Sequence, residues 1–225
     1  MHRFGKVAIA AALPLAVGAK ALTAQVAGIP VYYNPRGGMG VSAAANVGFL
    51  SHGGGGGGAK AVALSGGLGA GPAYFTATVG RFNPDETGVE TETSFGATGS
   101  VKVFGGGLLP VSVAAQAGVG VVKYGDITLT SIPIGVGVGL NVPLFPLKPW
   151  VAPRVRFARS SGGSQPSESE TFFGVSAGAD FNLLLGLGFH AAVDYEPKKG
   201  SGANEIRSTT VVGIGAHFNF RVPMM

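Results

Sequence analysis

The sequence predicts an all-β protein, a closed antiparallel up-and-down transmembrane β-barrel of ten strands, with eight as the alternative count. Three observations predict it. Residues 110–142 read as a hairpin with one continuous apolar face; charge is scarce while glycine is abundant; and the links between alternating segments fall into two classes in strict alternation.

In the first arm of the hairpin Val111, Val113, Ala115, Ala117, Val119 and Val121 share a face opposite Ser112, Ala114, Gln116, Gly118 and Gly120. In the second, Ile132, Ile134, Val136, Val138 and Leu140 oppose Ser131, Pro133, Gly135, Gly137, Gly139 and Asn141. A period of two belongs to a strand, whose successive side chains point to opposite faces. Tyr124, Gly125 and Asp126 supply the turn, and each arm is long enough to cross a bilayer. An apolar face backed by a small and polar one suits a strand with lipid outside and a lumen inside.

Charged residues make up 12% of the 225-residue chain, against about 25% in ordinary soluble domains, and glycine reaches 40 residues. The longest apolar run, residues 7–19, is only 13 residues and is broken by Pro14, short of the roughly 20 that a membrane helix needs. His2, Arg3 and Lys6 precede this run and Ala19, Ala21 and Ala24 follow it, the layout of a secretory signal peptide over residues 1–24. Removing Arg3, Lys6 and Lys20 from the 16 basic residues leaves 13 against 11 acidic ones, so the basic character belongs largely to the targeting segment and gives no support for nucleic-acid binding. With no cysteine, neither disulfides nor thiolate metal sites are available, and barrel closure is the expected source of stability.

Residues 25–38 read as an extended lead-in, interrupted by Pro30, Pro35 and a glycine pair. Tyr32 and Tyr33 there suit either a membrane interface or an ordinary lead-in. The barrel domain follows over residues 39–225. Its ten alternating segments are 40–50, 59–68, 73–82, 91–104, 111–123, 127–142, 150–159, 171–183, 186–195 and 208–222. The first two are rich in alanine and glycine, which strands disfavour, and discarding them gives the eight-strand alternative. One class of connection is polar and mostly long: 51–58, 83–90, 124–126, 160–170 and 196–207. The other is short: 69–72, 105–110, 143–149 and 184–185. Long loops at one end and tight turns at the other are the habit of transmembrane barrels, and an even strand count puts both termini on the tight-turn side.

Strand parity sorts the polar residues. Arg154 and Arg156 oppose Val151, Pro153, Val155 and Phe157; Asp180 opposes Phe173, Val175 and Phe181. His190 and Asp194 oppose Leu187, Phe189, Val193 and Tyr195; His217 opposes Val212, Ile214, Phe218 and Phe220. With Gln116, and with Glu92 and Lys102 of the fourth segment, these form a predicted lumen-facing polar set. Such charges must pair or be hydrated. The inward glycines leave space, so a narrow polar pore is compatible with this set.

The signal layout, the strand and loop rhythm across residues 39–222 and the last segment together resemble the small outer-membrane β-barrel proteins of Gram-negative bacteria, the porin-like barrel-domain class. In that class the final strand carries an assembly signal, a glycine followed at the third and fifth positions by hydrophobic or aromatic residues, and Gly215, Phe218 and Phe220 match this spacing. Family members usually end on an aromatic, whereas this chain continues through residues 221–225. The resemblance implies residence in the bacterial outer membrane, with loops extracellular and both termini periplasmic. Its partners would be membrane lipid, lipopolysaccharide and the barrel-assembly machinery, and the barrel is expected to be a monomer.

Sites for chemistry are not marked. The glycine run before Lys60 lacks the Gly-Lys-Ser/Thr ending of a phosphate loop, and no serine is marked as a nucleophile. Asp85, Glu86, Glu90, Glu168 and Glu170 read as solvated loop acids, and no histidine spacing matches a known metal site. The expectation is therefore no catalytic residue, no cofactor and no metal. The primary reading is a non-enzymatic barrel passing small polar solutes or ions. The alternative is a structural or adhesive barrel with a plugged lumen and partner-binding outer loops, and a secreted soluble β-sandwich ranks third.

Overall fold

The computed structural model describes residues 26–33, 38–85, 90–106, 109–140, 145–163, 166–201 and 205–220. The predicted signal peptide lies outside the described residues. Among the described residues ten strands occur: β1 (Gly40–His52), β2 (Gly56–Ala70), β3 (Ala73–Pro84), β4 (Glu92–Gly106), β5 (Leu109–Tyr124), β6 (Ile127–Leu140), β7 (Leu147–Gly162), β8 (Glu168–Asn182), β9 (Leu187–Glu196) and β10 (Thr209–Phe220). Each pairs antiparallel with its sequence neighbour, and β1 pairs with β10, so the sheet closes into a barrel. Closure removes both sheet edges and satisfies the ladder of every strand within the ring, the condition for backbone inside a bilayer.

The closed order rules out the sandwich, and β1 and β2, at 13 and 15 residues, rule out the eight-strand alternative. Poor strand formers are held here because partners on both sides complete their ladders. Ala45, for example, stands between Ala216 and Leu64. Two register shifts interrupt the pairing of β4 with β5, and the one between Lys102 and Phe104 is a bulge that turns both Val103 and Phe104 outward.

The outer surface is apolar around the whole ring. Val62 (54% exposed), Phe75 (56%), Phe95 (59%), Ile134 (47%), Phe173 (69%) and Ile214 (57%) come from six different strands. Water-soluble monomers rarely expose contiguous apolar patches of more than a few hundred Å², whereas a bilayer requires such a belt. Ser131, Gly135, Gly137 and Gly139 of β6 point inward while Ile132, Ile134, Val136 and Val138 point out, the assignment the hairpin predicts.

The lead-in departs from expectation. Residues 26–33 run inside the barrel, with Val26, Ala27, Ile29, Val31 and Tyr33 all buried, rather than along a membrane interface. A four-residue turn starts the segment: the Ile29 amide donates to the Val26 carbonyl at 3.0 Å, and Gly28 takes φ +71° at a position where its neighbours Ala61 and Phe82 leave no room for a Cβ. The segment then runs toward the tight-turn end, where the Gly38 amide donates to the Gly71 carbonyl at 3.1 Å before β1 begins. The start of β1 and the end of β10 thus share the tight-turn side, as Val41 pairs with Phe220, but the residues before β1 double back into the lumen.

The physical cause is space. A ten-stranded ring lined by Gly48, Gly80, Gly135, Gly137 and Gly213 is wider inside than its own side chains fill, and all five glycines border this segment. Toward the long-loop end one side of the interior is apolar: Leu50, Phe82, Val122, Leu129 and Val211 form a core around Val26, Ala27 and Ile29.

Val136→Arg puts a cation on the lipid face of β6 and is expected to cost about 2–4 kcal/mol near the bilayer midplane. The refolded variant should lose the fast-migrating folded band on an unheated denaturing gel. Gly137→Ser instead adds atoms against the Tyr33 ring and should keep that band while lowering the unfolding temperature.

Candidate functional site

The lumen divides into two layers stacked along the barrel axis. The upper one, toward the long loops, is built by β7, β8 and β9. Alternation places Arg154 and Arg156 inward on β7, and Asp194 and Glu196 inward on β9, with Ser176 of β8 between them; all are buried. Glu196 takes two hydrogen bonds from Arg156, Nε to Oε1 at 2.9 Å and Nη2 to Oε2 at 2.7 Å. Its Oε1 also lies 3.0 Å from Arg154 Nη1, while Arg154 Nη2 lies 3.3 Å from Asp194 Oδ2. Two cations and two anions make the cluster neutral, and the Arg156 guanidinium stacks 4.2 Å over the Phe172 ring.

This cluster fastens the inner segment. Asp194 Oδ2 accepts a hydrogen bond from the Val31 amide at 3.0 Å, and Gln116 Nε2 on β5 donates to the Tyr32 carbonyl at 3.2 Å. Side chains add to this: Tyr33 packs on Trp150 with ring centroids 5.7 Å apart, and Pro30 and Tyr32 lie over Gly213. A chain without secondary structure thus has backbone groups paired by wall side chains, which lowers the cost of its burial.

The lower layer, toward the tight turns, is a cavity of about 850 Å³. Ser42, Ser65, Tyr74, Thr76, Thr78 and Thr98 line one wall, with Asn46, Lys148, Asp180, Asn182, His190 and His217 on the other. Asp180 of β8 is the register partner of His190 of β9, and the His190 and His217 rings lie nearly parallel and end to end, with centroids 5.3 Å apart and Nδ1 atoms 3.0 Å apart. Each histidine has a glycine as cross-strand partner, His190 against Gly215 and His217 against Gly188, and a Cβ on either glycine would collide with that ring. Tyr32 of the inner segment meets His190 edge-on at 4.5 Å, joining the two layers.

The structure therefore gathers most of the predicted lumenal set. Arg154, Arg156 and Asp194 form the upper cluster, Asp180, His190 and His217 the lower one, and Gln116 holds the inner segment. Glu92 and Lys102 also face inward but stand at opposite ends of β4, apart from both clusters. Glu196 was expected in a loop, yet it ends β9 and is the central anion of the network. Extending the inward parity of 190, 192 and 194 by one step would have found it. Asn46 and Asn182 gave no comparable signal, because a single polar residue on an inward face is ordinary. Gly215 lies beside His190 and Asn46, and Phe218 and Phe220 stack edge-to-face at 4.4 Å near the tight-turn end.

No protein-family model matches the chain, and no curated protein matches it. Among solved structures it is similar to Neisserial surface protein A, at 16% identity and TM-score 0.43, covering 80% of this chain and 96% of that one. It is also similar to the translocator domain of the autotransporter NalP from Neisseria meningitidis, at 13% identity and TM-score 0.45, covering 95% and 98%. The β domain of the Bordetella autotransporter BrkA aligns at 14% identity and TM-score 0.49, covering 80% and 99%. The barrel itself stands on its closed strand order and registers.

Glu196→Ala leaves Arg154 and Arg156 facing each other without their shared counter-ion. Breaking a buried pair typically costs about 3–5 kcal/mol, so the urea midpoint of the refolded barrel should fall sharply. Glu205→Ala, which breaks the exposed 3.5 Å pair with Lys198, should shift the midpoint by no more than about 1 kcal/mol in equivalent terms.

Proposed function

We propose that this protein is a non-enzymatic integral outer-membrane barrel whose lumen is stoppered by its own residues 26–33. Of the two barrel readings drawn from the sequence, this geometry favours the plugged one over a standing porin-like pore. The observation that carries it is the fastening of the segment to the wall, with Val31 on Asp194, Tyr32 on Gln116, and Val26 and Ile29 within the apolar core. A stopper held by named side chains on β5 and β9 is a built part of the barrel interior.

In this reading the apolar belt meets lipid, the long loops face the cell exterior and meet lipopolysaccharide or other partners, and the tight turns face the periplasm. Assembly proceeds through the barrel-assembly machinery by way of Gly215, Phe218 and Phe220, and the barrel works as a monomer. The 850 Å³ cavity supports a second reading, a narrow channel for small polar solutes that conducts once the segment withdraws, with Arg154 and Asp194 then lining the opened path.

Planar-bilayer recording of the refolded protein separates the two. The full barrel is expected to give no steady conductance steps. Deleting residues 26–33, or placing a charge in the apolar core with Ile29→Asp, should produce discrete steps in a barrel that still migrates as folded. Steady conductance from the unaltered barrel would overturn the stoppered reading.

A further inference from the structure

Among the described residues, Asp180, His190 and His217 each offer one ligand atom, and the three atoms lie within 4.8 Å of one another. From their geometry we propose that they form a binding site for a divalent transition ion of the zinc class, open to the lower lumenal cavity. This goes beyond the barrel's proposed role and does not depend on whether the lumen is shut.

The contacts of the two rings support the proposal. His190 Nε2 lies 2.6 Å from Asn46 Oδ1 and His217 Nε2 3.3 Å from Asn182 Oδ1, so each ring can donate its Nε2–H to an amide oxygen and leave Nδ1 to a ligand. Asn46 Nδ2 also reaches Ser65 Oγ at 3.3 Å, and Ser65 bonds Thr78 Oγ1 at 2.9 Å, so the amide is tied to the wall on its far side. The two Nδ1 atoms lie 3.0 Å apart, at hydrogen-bond distance with one ring donating, and an ion bound by both takes the place of that shared proton. Metal-bound histidines commonly donate their second ring N–H to an oxygen, which fixes the tautomer and raises the basicity of the coordinating nitrogen.

The distances suit an ion. Two nitrogens each about 2.0–2.1 Å from zinc stand roughly 2.9 Å apart at a right-angled corner and about 3.4 Å apart at a tetrahedral one. The Nδ1 separation of 3.0 Å falls between the two, and the rings, which meet almost head-on, must swing to turn both nitrogens onto one ion. Asp180 adds a carboxylate from the neighbouring strand, and Lys148, its register partner on β7, is a cation that an arriving ion must displace or tolerate. Two imidazoles and one carboxylate are a borderline donor set, suited to zinc or copper(II) rather than to calcium or magnesium. Three protein ligands leave a fourth position open to the cavity. Gly188 and Gly215 keep the space that the rings occupy.

The test uses the untagged barrel, refolded in detergent and stripped with a chelator, titrated calorimetrically with zinc chloride and separately with magnesium chloride. The expected result is one zinc per barrel and no magnesium binding. His190→Ala and His217→Ala should each weaken zinc binding at least tenfold, and Asn46→Ala about tenfold through lost orientation of His190. Unchanged stoichiometry and affinity in the double variant His190→Ala/His217→Ala, or no zinc binding by the parent barrel, would overturn the site. Because these variants can disturb folding, X-ray absorption on the zinc-loaded parent barrel provides a second readout. It should show two imidazole nitrogens, and their absence would equally overturn the assignment. The other histidine among the described residues, His52, is bonded to Thr209 near the long-loop end and cannot supply a second nitrogen to this cluster.

Discussion

The pairing of β1 with β10 is the contact on which the rest of the structure depends. A bilayer supplies no partners for backbone amides and carbonyls, so a sheet that enters it must close on itself. Twelve register pairs from Val41–Phe220 to His52–Thr209 make that seam. Once it is shut, alternation does the remaining work, since every second side chain is committed to lipid and every other one to an enclosed interior. The interior composition then becomes a packing problem with a fixed boundary.

The chain solves that problem in two ways along the axis. Near the long loops it fills the ring with a foreign segment, apolar against apolar, and seals it with a neutral cluster of two arginines and two acids. Buried ions are expensive, and this cluster is tolerable because the bidentate Arg156–Glu196 geometry and the Val31 amide supply hydrogen bonds that would otherwise be lost to water. Near the tight turns the chain leaves space and lines it with hydroxyls, amides and imidazoles.

The outer surface was more legible in the sequence than the inner one. Lipid imposes a single requirement on every outward residue, so the Val and Ile face of residues 110–142 announces itself as a period of two. The inward residues answer to local neighbours instead: Leu50, Phe82 and Leu129 are apolar because Val26 and Ile29 lie against them, a fact that no pattern within their own strands encodes. The position of the lead-in is less legible for the same reason. A short run with two prolines and little periodicity looks like a linker, and only the summed vacancy of glycines on distant strands shows where it fits. Arg154, Asp180, His190 and Asp194 were found because parity alone places a residue inside, whereas the partition into two clusters depends on registers across β7 to β10. Glu196 fell just past a boundary drawn from its proline neighbour, although the ladder extends to it.

The segment inside the barrel precedes β1, one side of the closing seam, and β1 starts at the tight-turn rim. Stopper and seam strand are therefore joined covalently through residues 34–39. A pulling force applied to the segment from that rim is transmitted to β1 and hence to its pairings with β10 and β2. Because the segment precedes β1 in the chain, filling the interior and closing the β1–β10 seam are linked through the topology. A barrel that closed first would have to thread the segment in afterwards through a rim narrowed by its own side chains.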